Sequence, residues 1–80
     1  MSTLDELRRN IARVTRCSEQ GINPETALKD IKADSLHWVQ IILGVENALA
    51  IEIDIDNERM QELTTVEDFV KYIESFIKQD

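Results

Sequence analysis

The segment Ala33-Asp34-Ser35-Leu36 offers chemistry beyond packing. Asp and Ser are both strong N-cap residues, so a helix is expected to start there. A helix start gathers free N–H groups and the positive end of the macrodipole, and anions are attracted to it. A serine so placed has two uses. Its hydroxyl can cap the helix, which contributes about 1 kcal/mol. Alternatively, it can carry a phosphodiester that sits in the field of the helix end. Spacing alone fits both.

Other pairings are poorer. Ser35 and His37 suggest a nucleophile and a base, but residues two apart on a helix point about 200° apart. Cys17 and His37 suggest a thiol enzyme, yet no Gly-rich turn or oxyanion donor accompanies them. Asp54-Ile55-Asp56-Asn57-Glu58 is similar to the start of a calcium loop. Such a loop needs Gly at its sixth position and Glu at its twelfth, where this chain has Arg59 and Thr65. No catalytic residue and no metal ligand set is therefore assigned.

Composition narrows the classes further. The chain has 80 residues and a net charge of −7. Residues 1–40 carry six acids and six bases, so residues 41–80 supply the whole excess. Negative charge repels phosphate backbones and anionic lipid heads, which argues against nucleic acid and membrane partners and for proteins with basic patches. One cysteine cannot close an internal disulfide. The longest apolar run, around Ile41–Val45, is far short of the roughly 20 residues of a membrane span. Residues 1–6 lack the pattern of a signal peptide. A single domain over 1–80, monomeric and cytoplasmic, is expected.

The elements that must position Ser35 are helices, since two Gly and one Pro are too few for a turn-rich β fold. Leu4, Leu7, Ile11 and Val14 recur at helical spacing after a capping box at Thr3 and Glu6, which predicts a helix over about 3–17. Cys17 would be half-buried at its end. A loop with Gly21, Asn23 and Pro24 follows, pinned by Leu28 and Ile31. Pro24 suits the start of a short helical turn. The second helix runs from Asp34-Ser35 to about Ala50-Ile51, apolar over more than half its circumference, as in a central helix. Ile51–Asp56 alternates like a strand but has no partner strand, so it reads as an extended connector with Ile53 and Ile55 inward. A short helix over about 57–62 comes next. The last helix opens with a capping box at Thr64 and Glu67, then repeats Val66, Phe69, Val70, Ile73, Phe76 and Ile77. The expected fold is all-α, a four-helix bundle of three longer helices and one short helix.

Asp30-Ile31-Lys32-Ala33-Asp34-Ser35-Leu36 resembles the attachment motif of acyl carrier proteins, usually Asp-Leu-Gly-x-Asp-Ser-Leu. Val39, Ile42 and Leu43 match apolar positions of that family's second helix. The segment 45–53, Leu63-Thr64-Thr65-Val66 and Tyr72-Ile73 are similar to later parts of it. The resemblance implies a carrier and not an enzyme. Ser35, flanked by Asp34 and Leu36, would receive a phosphopantetheine arm from a phosphopantetheinyl transferase. The second helix would dock acyl-transferring, condensing or ligating enzymes with basic patches. An acyl chain would shelter among Ile42, Leu43, Ile53, Ile55, Met60, Val66 and Phe69.

The chain departs from the family pattern. Lys32 stands where Gly is common, His37 and Gln40 where acids are common, and Trp38 where a smaller residue is usual. The connector after Ile53 is about two residues longer and lacks the usual Pro. Docking would then rely on His37, Trp38, Gln40 and Ile41, with acidity moved to Glu46 and beyond. A specialised carrier in fatty-acid or other lipid synthesis is the first expectation. A carrier of aminoacyl, peptidyl or polyketide groups is the second, and an unmodified helical adaptor the third.

Overall fold

The computed structural model describes residues 2–54 and 56–77. Ser2 starts the first helix, α1 (Thr3–Thr15), its hydroxyl accepting from the Asp5 N–H at 3.1 Å. The cap is thus one residue earlier than the sequence suggested. Thr3 is buried inside the first turn. At the other end Arg16 adopts a left-handed conformation (φ 60°), and the Cys17 N–H reaches back to the Ala12 carbonyl at 3.1 Å. This closing motif satisfies the last carbonyls and stops α1 two residues short of the expected Cys17. Cys17 is exposed, not half-buried.

The loop that follows holds two single turns of 3₁₀ helix, Glu19–Gly21 and Leu28–Asp30. Helix α2 (Ser35–Leu49) ends like α1, with Ala50 left-handed (φ 57°) and the Ile51 N–H bonded to the Glu46 carbonyl. Helix α3 (Asn57–Glu62) follows the extended connector, and α4 (Val66–Ile77) closes the described chain. No strand occurs among the described residues; a single bridge joins Ala27 to Thr65. The expected all-α architecture, three longer helices and one short one, is the architecture found.

The core lies between α1, α2 and α4. Leu7 and Ile11 from α1, Ile41 and Val45 from α2, and Val66, Phe69 and Ile73 from α4 are all fully buried. Burial of each such side chain contributes about 1.5–3 kcal/mol. Ile22, Leu28 and Ile53 reach the same cluster from the loops. Ile55 lies outside the described residues. Glu46 ties the connector down, its carboxylate accepting from the Ile53 N–H at 2.6 Å.

Two contacts fix α2 in place. Gly44 lets α1 approach closely: a Cβ there would collide with the Asn10 side chain and come within 2.8 Å of the Arg13 guanidinium. Asn10 is itself buried, donating to the Glu6 carbonyl at 2.8 Å and accepting from Arg13 at 2.5 Å. The central-helix expectation holds only for one side of α2. Leu36, Val39 and Leu43, at 64%, 51% and 53% exposure, form an apolar stripe open to solvent.

Candidate functional site

Asp34, not Ser35, caps α2. The Asp34 carboxylate accepts from the His37 N–H at 3.0 Å. In return the His37 Nδ1 accepts from the Asp34 N–H at 3.1 Å, completing a reciprocal box in which histidine replaces the usual glutamate. The His37 N–H is the main reason the Asp34 carboxyl lies below its ordinary 3.8. Desolvation opposes that effect, while the His37 ring and the N–H groups of Leu36 and Asp34 add to it.

The consequence for Ser35 is direct. It is the first residue of α2, exposed, and its hydroxyl takes no part in the cap. The capping role that the sequence left open for this serine is filled by its neighbour. A covalent substituent on Ser35 would break no capping bond. A phosphate there would sit beside the N–H groups of the helix start, with no acidic residue inside the first turn. The residues present therefore fit a phosphodiester.

Beside Ser35 opens a cleft of about 770 Å³ between α2 and the α3 region. Ser35, Trp38, Val39 and Ile42 form one wall. Asp56, Met60, Gln61 and Leu63 form the other, and Leu28 and Lys29 complete the lining. Of the seven side chains expected around an acyl chain, Ile42 and Met60 line this cleft. Ile53, Val66 and Phe69 are buried in the core and do not line it, and Leu43 is half exposed. Leu28, Val39 and Leu63 are lining residues that sequence reasoning assigned elsewhere.

The expected docking residues divide in the same way. Gln40 is exposed and His37 half-exposed within the cap. Ile41 is fully buried and cannot meet a partner. Glu46 spends its carboxylate on the connector. Trp38 is half-buried, lining the cleft with its ring against Phe69. Ile41 is buried and Leu43 exposed, the reverse of the expectation, because apolar residues surround most of α2 and its few polar residues, His37, Gln40 and Asn47, mark the outer side only weakly. The exposed stripe Leu36–Val39–Leu43 was missed for that reason, although its i, i+3, i+7 spacing was available.

Among the described residues, no helix is long and apolar enough to cross a membrane. The family model described as "Phosphopantetheine attachment site" matches residues 5–73. Acyl carrier protein 3 of Ralstonia nicotianae is 35% identical over 75 residues, covering 92% of this chain and 84% of that protein. The acyl carrier protein of Helicobacter hepaticus is 29% identical over 76 residues, covering 94% and 97%. That of Rubrobacter xylanophilus is 38% identical over 56 residues, covering 69% and 67%.

Proposed function

This chain belongs to the acyl carrier protein family with its phosphopantetheine attachment site, and we propose that Ser35 is the attachment residue. The observation that carries this reading is the exposed Ser35 hydroxyl left free by the Asp34–His37 cap. In loading, the hydroxyl gives its proton to a base of the transferase and forms an O–P bond to the pantetheine phosphate of coenzyme A. The bisphosphorylated adenosine half leaves. When bound, the arm supplies a terminal thiol that holds an acyl group as a thioester. The chain's own residues then do three things. Asp34 and His37 hold the helix end in shape, Ser35 anchors the arm, and the cleft shelters what the arm brings to it.

The chain acts as one carrier unit over 1–80, monomeric and cytoplasmic, in fatty-acid or specialised lipid synthesis. Its partners are a phosphopantetheinyl transferase and acyl-transferring, condensing or ligating enzymes. The −7 charge favours encounter with basic patches. Contact itself is made by Leu36, Val39 and Leu43 with Gln40 and His37. This replaces the expected reliance on Trp38 and Ile41.

Intact mass decides the central point. Incubation with coenzyme A and a broad phosphopantetheinyl transferase adds one phosphopantetheine to the wild type and none to Ser35→Ala. No gain in the wild type, or a gain that survives the substitution, overturns the reading. The mass of the species purified from the native host identifies the cargo.

A further inference from the structure

Trp38 occupies a boundary. Its side chain lines the cleft together with Ser35 and Ile42, and its ring meets Phe69 with centroids 5.7 Å apart and planes tilted by 50°. Phe69 is fully buried yet contributes nothing to the cleft wall. The indole therefore stands between the cleft and the core shared by α1, α2 and α4. We propose that Trp38 is a specificity-determining floor, which limits the depth of the cleft and turns acyl chains beyond a limiting length out toward solvent.

The proposal rests on Ser35 as the attachment point, because Ser35 is what brings a chain to this groove. Along α2 the lining runs from Ser35 to Ile42, seven residues or roughly 10 Å of helix. Beneath Trp38 the interior is filled by Phe69 and its fully buried neighbours. Close-packed interiors hold few voids larger than a water molecule, so a chain that outgrew the groove would have to push the indole off Phe69. The opposite wall is different. Met60 has three rotatable bonds and adapts to shape, so the groove adjusts in width but not in depth.

The test uses a homologous series of straight-chain acyl groups, acetyl to dodecanoyl, loaded on Ser35 from the matching acyl-coenzyme A. Loading is confirmed by mass first; absent loading bears on the attachment site, not on Trp38. Each methylene that becomes buried raises Tm by up to roughly 3–6 °C. In the wild type the gain, measured against the holo form, levels off within the series. In Trp38→Leu, measured against its own holo form, it levels off at a longer chain. Since the protein has one tryptophan, its emission reports independently, and it stops changing at the wild-type plateau. A plateau at the same length in both proteins overturns the proposal. So does a wild-type Tm or emission that keeps changing through dodecanoyl, a result readable even if Trp38→Leu fails to fold.

Discussion

Helices α2 and α4 begin with the same kind of device and end up with opposite roles. Each opens on a reciprocal box: Asp34 with His37 in α2, Thr65 with Asp68 in α4. Around α4 the preceding loop then closes in. The Val66 N–H donates to the Thr26 carbonyl at 2.9 Å and the Glu67 N–H to the Pro24 carbonyl at 2.8 Å. The Leu28 N–H donates to the Thr64 carbonyl at 2.8 Å. Free donors at that helix start are used up by the chain itself. At α2 no such loop bond occurs among the described residues, and Ser35 and Leu36 stay exposed. One helix start is therefore structural and the other is open to chemistry, although their caps alone would not separate them.

The difference predicts an unequal response to substitution. The largest effect falls on α4, where Phe69→Ala should lower stability by about 3–5 kcal/mol. Against a total of about 5–15 kcal/mol for a small domain, that loss is visible in a denaturant midpoint. The matching truncation on α2's open side, Leu43→Ala, should stay within about 0.5 kcal/mol. Equal midpoint shifts for the two would erase the contrast. Next in size, Thr65→Ala should cost about 1 kcal/mol by removing the hydroxyl that accepts the Asp68 N–H. Ser35→Ala should change stability by less than about 0.5 kcal/mol in thermal or denaturant melts while abolishing loading. A loss as large as that of Thr65→Ala would mean that Ser35 does cap α2.

The smallest effect is a pH dependence local to α2. Because the folded Asp34 carboxyl is held below its ordinary 3.8, its stabilising effect is complete above that value. It is lost as pH falls through the lowered one. Amide shifts of Ser35 and His37 followed by NMR in acid should show this step, and Asp34→Asn should remove it. A step that persists in Asp34→Asn assigns it to another group.

How much of this was legible beforehand depended on local signals. The apolar repeat of α4 specified its buried face correctly, because Lys71 and Glu74 mark the outside. On α2 the same method failed, since Leu36, Val39 and Leu43 are as apolar as Ile41 and Val45 and only tertiary packing distinguishes them. Caps were found within a residue but not to the residue. The spacing favours Thr64 over Thr65, but the Thr64 carbonyl is engaged by Leu28, a contact far away in sequence. The motif at Asp34-Ser35-Leu36 was visible as text. That aspartate and histidine together relieve the serine of its capping duty was not, because histidine is an unusual partner in such a box. Core and cleft residues are not separable in the sequence for a simpler reason. Met60 and Phe69 are both apolar at helical spacing, and depth is not encoded in period.

Gly44 carries a mechanical consequence. With no side chain there, α1 and α2 interlock through Asn10 and Arg13, and the seam behaves as a fixed jamb. The cleft lies on a different flank of α2, facing the six residues of α3. The two flanks of α2 are therefore held differently, one keyed into α1 and the other bordering a gap. Ser35, the proposed anchor of the arm, lies on the helix that is keyed into α1, so the tether's origin is set by the α1–α2 seam rather than by the gap.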